Sequence, residues 1–205
     1  MRALSPEERT RIEAAVAAAE THTSAEFALV VAQASDHYAA FPLLWSAVLA
    51  LAAGGAIAIT LPSTSGAVIF AIQATLFVAA CLILHARPLG FRMVPAAVRQ
   101  EHARRLARLQ FASLVQERTH GDVGLLLFVS LAERHVEILV DRGIADRISE
   151  TAWQKIIDDF VAAVRAGRVT EGLIAAVAGC ATVLETYFPA APGNHNEIPD
   201  RVTEI

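Results

Sequence analysis

Apolar and polar positions along this chain fall into three kinds of pattern. The first is a pair of uncharged apolar runs, Leu43 to Leu61 and Ala67 to Leu84, separated only by Pro62-Ser63-Thr64-Ser65-Gly66. A helix rising about 1.5 Å per residue needs roughly 20 residues to cross a hydrocarbon core about 30 Å thick. Both runs meet that length, so the pattern predicts a two-helix transmembrane hairpin over residues 41–88, with spans at 43–61 and 67–84. Pro62 stops the first helix, and Gly66 permits the unusual backbone angle of a tight reversal.

The second pattern is apolar on both alternating faces. Glu26 to Ala32 and Val123 to Leu131 read this way, as interior strands covered by helices on two sides do. Ala132-Glu133-Arg134 then predicts a hairpin turn, and His135 to Asp141 alternates as a strand nearer an edge does. The third pattern has helical spacing. Ser5-Pro6-Glu7-Glu8 is an N-cap, a proline at the first helical position and a capping-box glutamate, followed by a buried stripe of Ile12, Val16 and Ala19. Pro95 to Arg118 reads as one long helix with Val98, Leu106, Leu109, Phe111, Leu114 and Val115 on its apolar side. Two amphipathic helices follow, between Ser149 and Gly167 and from an N-cap at Thr170 to about Tyr187.

Because two crossings return the chain to the side it left, residues 1–40 and 89–188 are expected to form one domain split by the hairpin. The segment 189–205 is expected as a proline-punctuated tail that docks on it. The fold class is thus α/β (α+β), a small mixed sheet flanked by helices. Roughly 160 residues outside the spans suffice for one core and not for a second domain.

Charge orients this arrangement. Arg87, Arg92, Arg99, Arg104, Arg105 and Arg108 follow the second span, whereas the linker carries no charge. The positive-inside rule then puts both termini and the soluble domain in the cytoplasm, with the chain multi-pass in the cell (inner) membrane. The polar opening, Leu4-Ser5-Pro6-Glu7-Glu8-Arg9, does not read as a cleavable signal. Arg99, Arg104, Arg105 and Arg108 are candidates for lipid headgroup contact, at about 1 kcal/mol for each basic residue near an anionic surface. A net charge of -4 excludes a general basic face for nucleic acid. Gln73 is the strongly polar side chain within the spans, and Ala52-Ala53-Gly54-Gly55-Ala56 permits close helix packing within the hairpin or in a homo-oligomer.

Parallel first and second strands would bring Glu26, Asp122 and Asp141 to one rim of the sheet, with Asp146 nearby. Clustered carboxylates repel unless protonated or bridged, and oxygen ligands suit Ca2+ or another divalent cation, so these four are the candidate metal ligands. Their competing reading is turn chemistry, since Asp is favoured in loops for backbone bonding. Cys81 and Cys180 read as separate buried hydrophobes. Cys81 to Arg87 has the spacing of a phosphatase loop, but its amides are committed to a membrane helix and cannot wrap a phosphate.

The order helix, strand, helix, strand, strand, helix, helix resembles the TPM domain family. The resemblance is carried by Thr23-Ser24-Ala25-Glu26, by Leu127 to Ile138 across the turn, by Asp141-Arg142-Gly143-Ile144 and by the Trp153 helix. It implies the fold just derived and two functions, since family members include membrane accessory proteins and a reported acid phosphatase. The expected function is a membrane-anchored, non-catalytic accessory or assembly factor that binds the lipid bilayer and a membrane-protein partner. The competing function is a divalent-cation-dependent phosphomonoester hydrolase, with Glu26, Asp122 and Asp141 acting electrostatically and Arg142 contacting phosphate.

Overall fold

Every residue of Glu26–Ala32 is buried, and the alternation of its side chains explains how. Phe27, Leu29 and Val31 enter one core, and Ala28, Val30 and Ala32 another on the opposite face of the sheet. A computed structural model describes residues 4–85, 89–116, 123–190, 198–199 and 201–205. The chain divides into two compact units, one of Met1–Ser35 with Gln100–Ile205 and one of Asp36–Arg99.

The first unit is a four-stranded mixed sheet in the order β3-β2-β1-β4. Its strands are β1 (Glu26–Ala32), β2 (Gly124–Ser130), β3 (His135–Val140) and β4 (Val202–Glu204). β1 and β2 run parallel in a register that pairs Glu26 with Gly124 and Ala32 with Ser130, and β3 returns antiparallel to β2. On one face Leu125, Leu127 and Val129 join the odd-numbered β1 side chains. They pack under α1 (Pro6–Glu20), α7 (Glu150–Arg165) and α8 (Val169–Tyr187) through Ile12, Val16, Trp153, Phe160, Leu173 and Val177. On the other face α5 (Ala96–Phe111) covers Leu126 and Phe128 with Ala103, Ala107 and Phe111.

Both expected interior strands, the turn between β2 and β3 and the capping box at Ser5 are present. Three details differ from expectation. The long helix ends its α-helical run at Phe111 and continues as a π-helix over Ala112–Gln116, and Leu109 is exposed. Ala103 and Ala107 join the expected Phe111 and Val115 in the buried face, where small residues let the helix lie close to the sheet. The cap of α8 is Arg168 and not Thr170, which is buried in the first turn. The docked tail forms β4, a parallel partner for β1 along Leu29–Val31.

The second unit is a helical hairpin of α2 (Ala40–Thr60) and α3 (Gly66–His85), followed by α4 (Leu89–Arg92) and the start of α5. Pro42, Ser46, Ala50 and Gly54 form the buried seam of α2. The Gln73 side chain lies across Gly54, where an added Cβ would fall 2.0 Å from its Nε2. By length and composition α2, α3 and α8 are each apolar enough to cross a membrane. They differ in what their apolar side chains meet. α8 buries Leu173, Val177, Cys180 and Leu184 in the core of the first unit, whereas α2 and α3 expose Leu51, Ile59, Phe70, Leu82 and Ile83.

Candidate functional site at the sheet rims

Gly124 organises the rim at the start of β1 and β2. It stands in register with Glu26, and its N–H donates to Asp141 Oδ2 at 3.2 Å while its carbonyl accepts from Asp141 N at 2.8 Å. Glu26 is likewise buried, and its Oε2 accepts the Ile198 N–H at 3.0 Å. The structure thus brings Glu26 and Asp141 to one rim, each with a carboxylate oxygen on a backbone amide. Asp141 leads into α6 (Arg142–Ala145), a short helix unexpected from sequence, and Asp146 closes it through an N–H bond of 2.9 Å to Arg142 O. Arg142 and Asp146 are exposed. Asp122 lies outside the described residues. Among the described residues no three His, Cys, Asp or Glu side chains group as a metal centre requires. Two buried carboxylates bonded to main-chain donors can position loops and hold negative potential at this rim; they do not by themselves supply a coordination shell.

The opposite rim holds a carboxylate that sequence reasoning passed over as a turn residue. Glu133 is buried and receives the Ser35 N–H on both oxygens at 3.1 Å, together with the Ser130 hydroxyl. Ser35 Oγ in turn donates to Ser130 Oγ at 2.9 Å. This chain of hydrogen bonds ties the exit of β1 to the β2–β3 turn. The available signal was polar: Ser35 and Ser130 each end a run that is otherwise apolar.

The candidate lipid-contacting arginines divide by environment. Arg104, Arg105 and Arg108 are exposed on α5, opposite its buried alanines. Arg99 is half-buried, its guanidinium 4.7 Å from the centroid of the Phe91 ring. Tyr38 meets the same ring edge-on, with centroids 5.8 Å apart, so it is a packing residue, while Phe41 is half-buried and Trp45 exposed.

An α/β domain whose β1–β2 crossover contains a helical hairpin defines the class of protein. The profile of the TPM domain family matches residues 93–183, so this part of the chain is similar to a TPM domain. Among solved structures, the chain is similar to the NMR structure of the BA42 protein from the psychrophilic bacterium Bizionia argentinensis. The TM-score is 0.60 at 18% sequence identity, with 100% of this chain and 97% of that one covered. That likeness is one of fold. A comparison with curated proteins finds no match.

Proposed function

We propose that this chain is a membrane-anchored TPM-domain protein that acts as a non-catalytic accessory or assembly factor for a membrane-protein partner. The observation that carries this reading is the contrast between its long apolar helices. Among the described residues, the exposed large apolar side chains outside the hairpin and its linker are Leu109, Tyr187 and Ile205. A water-exposed hairpin bearing Leu51, Ile59, Phe70 and Leu82 would far exceed the apolar patches that soluble surfaces carry. Lipid is the solvent that suits them. The exposed Arg104, Arg105 and Arg108 favour contact with anionic headgroups, and the arginine distribution favours a cytoplasmic domain. Pull-down of the full chain from mild detergent is expected to recover a reproducible membrane protein, and to lose it when the rim is altered by Asp141→Asn at matched folding. Recovery of the chain alone, even after crosslinking, would count against the proposal.

The meeting of Glu26 and Asp141 at one rim favours a second reading, a divalent-cation-dependent phosphomonoester hydrolase. In it a cation would polarise a phosphoryl oxygen, with Arg142 on the substrate. Purified protein assayed with Ca2+ or Mg2+ decides between the two. Hydrolysis abolished in both Glu26→Gln and Asp141→Asn would promote the enzyme, and activity unchanged in either variant would remove these residues from it.

A further inference from the structure

β1 is buried along its whole length, yet its two edges are covered unequally. β2 pairs along the whole of Glu26–Ala32, while β4 pairs only along Leu29–Val31. A bare edge on such a strand would invite pairing with any extended segment. The groups that hold the β4 segment there are of a particular kind. Glu13 Oε1 accepts the Val202 N–H at 3.2 Å, Glu26 Oε2 accepts the Ile198 N–H, and the Gln33 N–H donates to Ile205 O at 2.7 Å. All three bonds meet the main chain of the β4 segment, so they would hold any extended backbone in that place. Among the described residues, sequence is read where Ile198 and Val202 are buried and where Glu204 pairs with Arg9 at 2.5 Å on the surface.

We propose that the outer edge of β1 is a docking edge for an extended segment of the membrane-protein partner, with β4 as the chain's own placeholder. The occupant runs parallel to β1, with apolar residues in the places of Ile198 and Val202 and a carboxylate in the place of Glu204, facing Arg9. This rests on the accessory-protein reading and gives its mode of binding, addition of a strand to a sheet edge. As a tethered competitor β4 acts at an effective concentration of roughly millimolar, so it is displaced only by a segment that matches these points better.

The test uses the full chain in detergent and a fluorescent peptide with the sequence of residues 198–205. Val202→Asp puts a charge where the strand is buried and should expel β4. The peptide is expected to bind this variant at least about tenfold more tightly than it binds the unaltered chain, where β4 competes. A peptide with arginine in the Glu204 place should lose binding and regain it on Val202→Asp combined with Arg9→Glu. No binding to a folded Val202→Asp protein would overturn the proposal. Should that variant unfold, hydrogen exchange of the unaltered chain decides. The Gln33 and Ile205 amides, bonded across β1 and β4, are expected to exchange at least about tenfold faster than Leu131, which bonds Ala32 O across β1 and β2. Equal rates would overturn it. A dimer of the unaltered chain that Val202→Asp abolishes would give the edge to a second copy and overturn the partner assignment. Peptide binding without any partner in pull-downs would leave the edge intact and sink the accessory reading instead.

Discussion

At Gly54 the Gln73 side chain occupies the space that any larger residue would need, with Nε2, Cδ and Cγ at 2.0, 2.3 and 2.6 Å from a Cβ placed there. Its neighbour Gly55 meets nothing within 4 Å. Two adjacent glycines in one apolar run should therefore respond differently to the same change. Gly54→Ala is expected to destabilise the hairpin by about 1–3 kcal/mol through overpacking, whereas Gly55→Ala should be neutral or stabilising by up to about 1 kcal/mol through helix propensity. Thermal unfolding in detergent measures both, and equal effects would mean that Gln73 swings aside without cost. Cys180 provides a residue-scale prediction in the other unit. Burial among apolar side chains pushes its thiol from the ordinary 9.0 up to about 12. Between these values the unfolded chain has lost the thiol proton and the folded chain keeps it, so the folded state binds more protons and stability falls as pH rises. The slope approaches at most about 1.4 kcal/mol per pH unit, fades roughly a unit below the unfolded value, and should vanish in Cys180→Ala although that variant is less stable throughout. An identical pH slope in the variant would assign the alkaline loss to another group.

Among the elements, α5 shows most clearly how packing can overrule pattern. Its sequence suggested an apolar side of Val98, Leu106, Leu109, Phe111, Leu114 and Val115. Phe111 and Val115 are buried and Leu106 and Leu114 pack beside them, but Leu109 is exposed and Ala103 and Ala107 meet the sheet. Ala107→Leu is expected to cost about 1–3 kcal/mol by forcing α5 off Val30 and Phe128, and Leu109→Ala close to nothing. Urea unfolding followed by circular dichroism tests the pair, and the reverse order of effects would reverse the helix face. The same contrast explains what the chain disclosed beforehand. β1 and β2 were legible because seven-residue runs apolar on both faces have few other uses, and α1 because a capping box and a proline mark its start. β4 was not, since Val202-Thr203-Glu204 is too short to show a period and owes its conformation to β1 and Glu13. The π-turn after Phe111 and the short α6 were hidden for a related reason, because both depend on where the chain must go next. At the rim, parallel pairing let Glu26 and Asp141 be placed together from sequence. The amides that they accept, from Ile198 and Gly124, belong to tertiary contacts that no local pattern carries.

For the whole molecule the governing fact is that an apolar hairpin of two helices sits inside the β1–β2 crossover of an α/β domain. The strands on either side of it are paired residue by residue from Glu26 with Gly124 to Ala32 with Ser130, so both ends of the hairpin must lead to the same sheet. With α2 and α3 in a bilayer, an even number of crossings satisfies this requirement and an odd number would divide the sheet between two compartments. The α8 helix has the composition of a third span, but Leu173, Val177 and Leu184 hold it in the core against α1 and α7. On the proposed membrane reading, two spans with the Pro62 to Gly66 linker on the far side would suit that pairing, and the arginines after the second span would favour the cytoplasm for the domain. Cysteine-accessibility labelling in intact cells, after replacement of Cys81 and Cys180, is the direct measurement. A membrane-impermeant thiol reagent is expected to label Ser63→Cys from outside and to leave Thr10→Cys and His195→Cys unlabelled until the membrane is opened. Labelling of both terminal positions with Ser63→Cys protected would invert the orientation while keeping the hairpin. Labelling of one terminus alone would require three spans, pull α8 out of the core that it fills, and so overturn the split-domain architecture together with the orientation.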